Sequence, residues 1–515
     1  MKILLSYSYA FLAFLPLSVF ALPSLEGPVL KPLTARAVSL VDCLAGKNVP
    51  VSLLSSSSFP ELAEPYNLRL AYTPAAIALP TTPKHVSDAV TCASTSGIKV
   101  QAKSGGHSYA SHSSGGKDGS LVVDLRYFHD VVLDTATGVA RVGGGVRLGN
   151  LATAIHNQGK RALPHGTCPG VGIGGHFTNG GYGLDSRLWG LALDTIVGME
   201  VILADGKFVN ATPSSNLDLF YALRGAASSF GIITTFYLQT QPAPDTVVNF
   251  AFSIPDARRS TTAAVGAFSR LQEFALNASV VNRQLAFGVY LAPGTFTLSG
   301  TYFDGIENFK NKVMPEMLRG LPAPSTSTVV PLGWLESLTR QAGGPLLVSE
   351  TEYDEHDTFF AKSVVTQEAR PLTQRALESF FTYADNEGSR SPSPWFSIIN
   401  LYGGPDSQIN AVPASASAYD DRTSLWVFQN YGFNSQLPFD PAIVTFVDGL
   451  NTAVTSAQPD GDFRGYANYV DPSLSAAEAH RLYYLPQTYR KLVGLKRKYD
   501  PREVFWNPQA VMVGY

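Results

Sequence analysis

The chain has 515 residues, which is long enough to bury a large core and to form two or three structural units. Only 15% of the residues are charged, and the formal net charge is -3. Because basic residues are not in excess, the composition argues against a nucleic acid as partner.

The N-terminal segment has the features of a secretory signal peptide. Lys2 supplies a positive charge, residues 3–20 are almost wholly apolar, and the run ends at the small residue Ala21. A membrane anchor is the alternative, but the apolar stretch is short, is interrupted by polar residues and lacks a basic flank. We therefore predict a signal peptide at 1–21, cleavage near Ala21, and a secreted protein without a membrane span.

If the protein is secreted, glycosylation and a disulfide become possible. Asn210 and Asn277 each begin an Asn-X-Ser/Thr triplet and are predicted glycosylation sites. Three cysteines leave one over, and a bridge between Cys43 and Cys92 is favoured in an oxidising compartment. That bridge leaves Cys168 outside it. The three cysteines are too widely scattered for a zinc site, and no metal is expected.

The first half of the chain reads as short strands and helices. A helix is predicted at 84–96 with Gly97 as its C-cap, followed by a strand at 98–102 that ends just before a glycine loop. Turning at Asp205-Gly206, a hairpin is predicted over 195–209. The other predicted elements are strands at 120–125, 131–133, 139–142 and 231–238 and helices at 147–158 and 217–223.

The character of the sequence changes after residue 241. Strands alternate with amphipathic helices such as 269–277, which predicts an antiparallel sheet with helices on one face. The last sixty residues contain a helix from Ala476 and another at 488–499. The predicted strands of this part are 247–252, 284–291, 295–302, 395–400 and 425–431.

Two glycine-rich runs each carry one nucleophile. His107 lies in GGHSY and Cys168 in HGTCP, and glycine lets backbone approach a ligand closely. Such a pair could bind a metal, act in acid–base chemistry or bond covalently to an electrophilic cofactor. The alternative is that both runs are glycine-rich turns in which the His and the Cys are incidental. Because both nucleophiles lie among glycines, we favour the covalent bond to a cofactor.

A GxGxxG match at 170–175 is a weak signal. Asp194 lies about twenty residues further on, as in dinucleotide-binding folds, but the match follows a Pro-containing loop instead of a strand. The run Asn179-Gly180-Gly181 also interrupts any long helix after it. We therefore do not predict a dinucleotide-binding fold from this motif.

Together these motifs resemble the berberine-bridge-enzyme-like, or vanillyl-alcohol-oxidase-type, flavoproteins, and within them the fungal glucooligosaccharide oxidases. The resemblance runs from about Leu40 to the C-terminus. It is carried by KSGGHSY, LPHGTCPGVGIGGH, NGGYG, WGLALD, LRGAASSFGI, NYVDPSL and LKRKYDPREVFWNPQAV.

The resemblance implies an α+β fold in three parts. The expected parts are a two-part FAD-binding domain of PCMH type over 22–240 and a substrate domain over 241–459, in which helices cover an antiparallel sheet. A berberine-bridge-like segment over 460–515 is expected to return to the FAD domain.

The resemblance also implies an FAD held by two covalent bonds. In the family the residue at the His107 position bonds the flavin 8α-methyl, and the one at the Cys168 position bonds another benzenoid carbon. Glycines of both loops are expected to offer backbone N–H groups to the pyrophosphate. The predicted cofactor-binding residues are His107, Cys168, Ser104, Gly105, Gly106, Ser108, Thr167, Gly172, Gly174, Gly175, His176, Gly180, Gly183, Ile232 and Asn507.

Oxidation of an alcohol needs a base for the hydroxyl proton while hydride passes to the flavin. The resemblance assigns this role to Tyr469, whose alternative role is that of an aromatic wall residue. A free tyrosine has a pKa near ~10 and needs help near neutrality. The carboxylate that assists it in the saccharide oxidases is Asn400 here, and an amide cannot take a proton. Tyr109, beside His107, completes the predicted catalytic set.

The predicted substrate contacts differ from those of the sugar oxidases. Phe396 and Ile398 stand where those enzymes carry a Trp and a Gln, whereas Gln429 keeps the residue type. An apolar Ile in place of a polar Gln favours a less hydroxylated substrate.

Three functions remain open from the sequence. The first, slightly preferred, is an oxidase that turns a secondary-metabolite alcohol into a carbonyl, with O2 becoming H2O2. The second is a carbohydrate oxidase that converts an anomeric hydroxyl into a lactone. The third is a catalytically silent flavin-bearing protein, against which Tyr469 argues. A monomer is expected.

Overall fold

The computed structural model describes residues 33–352, 355–434 and 438–514, with side chains from residue 40 onward. The predicted signal peptide lies outside these residues. Within them, no helix combines the length and the apolar character needed to cross a bilayer.

The first part of the chain builds two larger sheets and a two-stranded one. Its helices are α1 Leu33–Gly46, α2 Phe59–Ala63, α3 Pro83–Ser96, α4 Leu148–Gly159, α5 Ile173–Thr178, α6 Ser186–Trp189 and α7 Leu217–Ala226. Its strands are β1 Val51–Ser52, β2 Ala76–Ala78, β3 Val100–Lys103, β4 Leu121–Asp124, β5 Val131–Asp134, β6 Val139–Gly143, β7 Arg161–Ala162, β8 Ile196–Ile202, β9 Phe208–Ala211, β10 Ile232–Gln239 and β11 Gln241–Pro242.

These strands form a mixed sheet, an antiparallel sheet and an antiparallel pair of β7 with β11. The first has the order β1-β2-β4-β3, in which β4 runs parallel to both β2 and β3. The second has the order β5-β6-β10-β8-β9. Gly97 ends α3 with a φ of 68°, and the predicted hairpin turns at Gly206 with a φ of 82°. Both features confirm the sequence prediction, because glycine adopts these angles at no steric cost.

The short helix α5 begins at Ile173, within the GxGxxG match at 170–175. It spans six residues and ends before Asn179, and irregular chain separates β7 from it. The arrangement is not the strand–turn–long helix of a dinucleotide fold. The match at 170–175 is therefore not part of a dinucleotide-binding fold.

The second part of the chain builds one large sheet covered by helices. Its strands are β12 Val247–Ser253, β13 Leu285–Ala292, β14 Thr295–Tyr302, β15 Thr326–Leu332, β16 Phe359–Gln367, β17 Trp395–Leu401 and β18 Ser424–Phe433. Its helices are α8 Thr261–Ala275, α9 Ile306–Asn308, α10 Met314–Leu318, α11 Trp334–Ala342, α12 Gln374–Asn386, α13 Gln408–Ala411 and α14 Pro441–Ala457, with a π-helical turn at Phe309–Val313 between α9 and α10.

All seven strands pair antiparallel in the order β15-β12-β14-β13-β17-β18-β16. The α+β fold predicted from the sequence is therefore confirmed. The sequence analysis missed β15 and β16. It also placed the start of α8 too late, because Ser260 caps this helix by accepting a hydrogen bond from the Ala263 N–H.

In strand β17, one face of the sheet packs into the hydrophobic core and the other face lies towards a cleft. Side chains alternate between two faces of a strand, and here Trp395, Ile399 and Leu401 are buried in the core. That core also contains side chains of α8, α12 and α14. The intervening residues, Phe396 among them, are half-buried and face away from the helices.

The end of the chain returns to the first part through α15 Ala476–Tyr483 and α16 Pro486–Tyr499. The Val100 N–H of β3 donates to the Val504 carbonyl at 2.8 Å. Nearby, Lys496 Nζ is fully buried, lies 2.7 Å from Asp500 Oδ2 and also donates to the Ser229 and Phe505 carbonyls. Asp500 in turn accepts the backbone N–H groups of residues 504 and 505. The buried Lys496–Asp500 pair therefore organises the C-terminal tail, and the hydrogen bonds to the Ser229 carbonyl and from the Val100 N–H hold this tail to the first part.

Two surface features concern secretion. A disulfide joins Cys43 of α1 to Cys92 of α3, with 5.7 Å between their Cα atoms, which confirms the predicted bridge. Asn210 is exposed and Asn277 is half-buried. Their glycosylation stays a prediction, as does the division of the chain at 240 and 459. Strand β11 pairs with β7, so residues 241 and 242 still belong to the first part.

We expect Lys496→Met to lower the free energy of unfolding by about 3–5 kcal/mol, because it leaves the Asp500 carboxylate buried without its cation. Lys498→Met is the matched control. Lys498 lies two residues away and pairs with Asp218 at the surface, where such pairs contribute about 0–1 kcal/mol. Chemical denaturation measures both, and equal losses in the two variants would contradict the anchoring role.

Candidate active site

A cavity of about 850 Å³ lies between the glycine loops of the first part and the cleft face of the seven-stranded sheet. Many residues predicted from the sequence line it, although they are as far apart in the chain as Ser104 and Asn507. Those in the lining are Ser104, Gly105, Gly106, His107, Ser108, Tyr109, Thr167, Cys168, Gly172, Gly175, His176, Phe396, Ile398, Asn400, Gln429, Tyr469 and Asn507.

The two glycine loops touch each other at one wall of the cavity. A Cβ added at Gly105 would lie 2.7 Å from Gly172 Cα and 2.8 Å from the Gly170 carbonyl oxygen, so no side chain fits at this crossing. Ser104 Oγ fastens the contact, since it donates to the Gly144 carbonyl at 2.7 Å and accepts the Gly174 N–H at 3.2 Å. The loops that carry His107 and Cys168 are therefore held together by close backbone packing and by the Ser104 hydroxyl.

Four predicted cofactor-binding residues lie outside the cavity lining. Gly174 contacts Ser104, and a Cβ at Gly180 would meet the rings of Tyr419 and Tyr466 at 3.0 Å. Gly183 lies against the His165 carbonyl, and the Ile232 side chain is buried in the hydrophobic core. Close packing explains the residue type at these four positions, and their predicted contact with the cofactor stays a prediction.

Tyrosines surround the predicted base. The Tyr109 ring stacks on Tyr469 with 5.7 Å between centroids and 10° between planes, and Gln429 Nε2 donates to Tyr109 Oη at 2.7 Å. On the other side, the Tyr466 ring meets Tyr469 edge-on at 5.0 Å. Tyr466 Oη accepts two backbone N–H groups of the loop at 181–182 at 3.0 Å each. Tyr469 is thus held between two rings that are themselves hydrogen-bonded.

The sheet supplies an aromatic wall. Because alternate residues of β17 face the cleft, Phe396, Ile398 and Asn400 form one row. Phe396 stacks on Tyr290 at 5.7 Å and on Tyr431 at 4.7 Å. The wall is therefore largely apolar beside the tyrosine cluster.

Sequence reasoning missed several residues of this cavity. No motif in the sequence marks Tyr466 or Tyr431 as a site residue. Tyr66 was missed because its ring stacks on His107, which lies 41 positions away in the chain. Among the described residues that line the cavity, Asp357 is the one carboxylate, and its Oδ2 accepts a 2.5 Å hydrogen bond from Tyr431 Oη. The spacing of these residues carries no periodic signal that could have grouped them.

Comparison with known proteins identifies the family. Residues 74–212 match the FAD binding domain family, and residues 465–512 match the family described as berberine and berberine like. The xylooligosaccharide oxidase of Thermothelomyces thermophilus is 38% identical over 484 residues, covering 93% of this chain and 95% of that protein. The chain belongs to the berberine-bridge-like family of FAD-linked oxidoreductases.

Solved structures agree in fold. The xylooligosaccharide oxidase from Myceliophthora thermophila C1 in complex with xylobiose superposes with a TM-score of 0.87 at 38% identity, covering 92% of this chain and 99% of that chain. The glucooligosaccharide oxidase from Acremonium strictum, which carries a 6-S-cysteinyl, 8α-N1-histidyl FAD, superposes with a TM-score of 0.86 at 32% identity, covering 92% and 99%. The predicted flavoprotein fold and the prediction of an FAD-dependent oxidoreductase are confirmed.

The residues of this flavoenzyme's cavity fit an FAD. A Cβ at Gly175 would meet nothing within 4 Å, so there is open space at this position beside the crowded loop crossing. His176 Nε2 and Tyr182 Oη are buried without a hydrogen-bond partner in the protein, as polar atoms that await a ligand would be. Burial, with a further contribution from His165, lowers the pKa of His176 to about 3 and keeps its imidazole neutral.

The enzyme's predicted base has a shifted protonation equilibrium. Burial raises the pKa of Tyr469, and the neighbouring Tyr466, Tyr182 and Cys168 raise it further. A raised pKa keeps the phenol protonated at neutral pH, and the fraction that can accept a proton grows as pH rises. Asn400 lies in the same cavity but cannot relay that proton.

We expect Tyr469→Phe to slow anaerobic flavin reduction by roughly 10²–10⁴-fold, the range for loss of a general base, with little effect on substrate binding. The parent's kcat/KM should rise with pH, and the variant should lose this rise. Stopped-flow absorbance measures the reduction. Tyr383→Phe, on α12 and packed against Phe446, is the matched control. Reduction of Tyr469→Phe at the parent's rate would show that the base is another group.

Proposed function

We propose that this enzyme is a secreted carbohydrate oxidase that converts the anomeric hydroxyl of a saccharide into a lactone and passes the electrons to O2, which becomes H2O2. The arrangement of Gln429, Tyr109 and Tyr469 carries this proposal, because it places hydroxyl and amide groups beside the predicted base. The relatives favour the same class. The Cys43–Cys92 disulfide fits an oxidising compartment.

His107 and Cys168 are proposed to hold the FAD covalently at two points. Both residues line the cavity, and Cys168 is exposed there. When bound, the FAD supplies the hydride acceptor and the reaction with O2. The two glycine loops bring backbone N–H groups to the same wall, where they suit an anionic pyrophosphate.

Tyr469 is proposed to take the hydroxyl proton of the substrate. Tyr109 covers one face of its ring and Tyr466 meets it edge-on, which restricts the direction of its hydroxyl. Gln429 has one amide hydrogen engaged with Tyr109, and its remaining hydrogen-bonding capacity can be used by a sugar hydroxyl.

The apolar wall supports a second candidate, an alcohol with fewer hydroxyl groups. Ile398 faces the cleft and offers no hydrogen bond, so a hydroxyl placed against it would lose its water without compensation. This observation was the reason for the slight preference drawn from the sequence. The relatives instead favour the carbohydrate, which can lie flat against the Phe396 ring while its hydroxyls point to Gln429.

A panel screened for peroxide release tests the substrate class. We expect mono- and oligosaccharides with a free anomeric hydroxyl to exceed lipophilic primary and secondary alcohols by at least roughly tenfold in kcat/KM, because the polar contacts lie beside the base. Saccharides blocked as methyl glycosides are the matched controls and should release no peroxide. Faster turnover of lipophilic alcohols would establish the second candidate. Failure of every alcohol to reduce the flavin anaerobically would leave a silent flavin protein.

The covalent attachment is tested by Cys168→Ser. We expect the variant to keep its flavin through His107 alone, so that acid precipitation still gives a yellow pellet. Cys168→Ser with His107→Ala should release the flavin into the supernatant, because neither nucleophile remains. Mass spectrometry of the peptides that contain residues 107 and 168 identifies the bonds in the parent. A colourless parent pellet would rule out both bonds.

A further inference from the structure

One face of the His107 imidazole is covered by an aromatic ring from a distant part of the chain. The Tyr66 and His107 ring centroids are 4.3 Å apart, and the planes differ by 23°. Tyr66 is 8% exposed, so it belongs to the protein interior and not to a mobile surface. Stacking fixes the plane of the imidazole, and therefore the plane that contains both of its ring nitrogens, at a residue that lines the cavity.

The protein holds Tyr66 in place without any help from a cofactor. Its carbonyl accepts the Asp357 N–H at 2.9 Å, and its ring meets Phe359 edge-on at 5.7 Å. The next residue, Asn67, donates through Nδ2 to the Tyr109 carbonyl at 2.7 Å and to the Phe359 carbonyl at 3.2 Å. The segment is therefore tied both to the His107 loop and to β16.

We propose that Tyr66 is a positioning residue that orients the His107 imidazole for its bond to the flavin. This inference rests on the proposed covalent attachment. Bond formation replaces one C–H bond of the flavin 8α-methyl and one imidazole N–H by a C–N bond, and the two protons and two electrons pass to the flavin ring. O2, the acceptor of the proposed reaction, then takes both protons and electrons as H2O2. Tyr66 reacts with nothing; it fixes the angle at which the nitrogen approaches carbon.

Orientation matters because a single-bonded imidazole can rotate about two side-chain torsions, while a nucleophile must approach along one direction. A stacked ring removes most of these orientations before the reaction begins. Misplacing a reacting group by about 1 Å can cost roughly a hundredfold in rate, so loss of the stack should be visible as slow or incomplete attachment.

The experiment isolates the His107 bond in a Cys168→Ser background, where no second bond can retain the flavin. The parent of this series should keep its flavin in the acid pellet. Adding Tyr66→Leu, which removes the ring, should send most of the bound flavin to the supernatant, and attachment during aerobic incubation should be up to roughly a hundredfold slower. Adding Tyr66→Phe, which keeps the ring, should leave the flavin in the pellet.

The readout is acid-stable flavin per flavin bound before precipitation, with the mass of the peptide that contains His107 as a second measure. This ratio is independent of how much protein folds, and Tyr66→Met serves as a second ringless variant. Phe433→Leu is the matched control, because it removes a ring that packs against the same cluster through Phe396 and Tyr431, whereas Phe359 contacts Tyr66 itself.

The outcomes separate the two proposals. Retention of flavin by both ringless variants would overturn the role of Tyr66 while leaving the His107 bond established. If Tyr66→Phe released the flavin as completely as Tyr66→Leu, the positioning role would be overturned as well, because the aromatic ring would then not determine attachment. Release of the flavin by Phe433→Leu as complete as by the ringless variants would overturn the specific role of Tyr66, because loss of any ring near the cluster would then have the same effect. Release from the Cys168→Ser parent itself would overturn the His107 bond and the positioning role together.

Discussion

The structure depends on the contact between Gly105 and Gly172. At this crossing two loops approach more closely than any side chain allows. Ser104 Oγ in the first loop accepts the Gly174 N–H of the second, and it donates to the Gly144 carbonyl of a neighbouring segment. One loop leaves β3 and the other opens into α5, so the contact brings the two nucleophiles, His107 and Cys168, to one cavity wall. Substitution of either glycine would separate both the loops and the chemistry that they carry.

The predicted base reaches this cavity by a different route. Tyr469 lies in the C-terminal segment, and its position depends on how that segment returns to the first part of the chain. At the far end of the segment, Lys496, paired with Asp500, donates to the Ser229 carbonyl of the first part. Near the site, Tyr466 Oη accepts the backbone N–H groups of the loop at 181–182. Stability and function are therefore linked, because the same contacts that stabilise the tail also position the phenol.

Elements and loops that depend on short motifs could be predicted from the sequence, whereas contacts that depend on long-range packing could not. The helix α3 and its Gly97 cap, the hairpin at Gly206 and the two glycine loops all have local signals. Strand β16 has buried residues on both faces and so shows no simple alternation, and β15 carries Pro331, which weakens a strand prediction. The stack of Tyr66 on His107 and the hydrogen bond between Tyr431 and Asp357 follow from sheet register and chain crossing, which no local pattern encodes.

Orientation, more than charge, explains how this site can work. Burial raises the pKa of Tyr469, Asn400 cannot receive its proton, and the cavity carboxylate of Asp357 is engaged by Tyr431. A phenolate is therefore costly to form before the substrate binds. A phenol that still carries its proton cannot accept another, so the small deprotonated fraction must be used efficiently, which requires that the substrate hydroxyl, the Tyr469 oxygen and the flavin are aligned. The rings around Tyr469 and the ring on His107 restrict the two ends of that alignment, one at the base and the other at the cofactor.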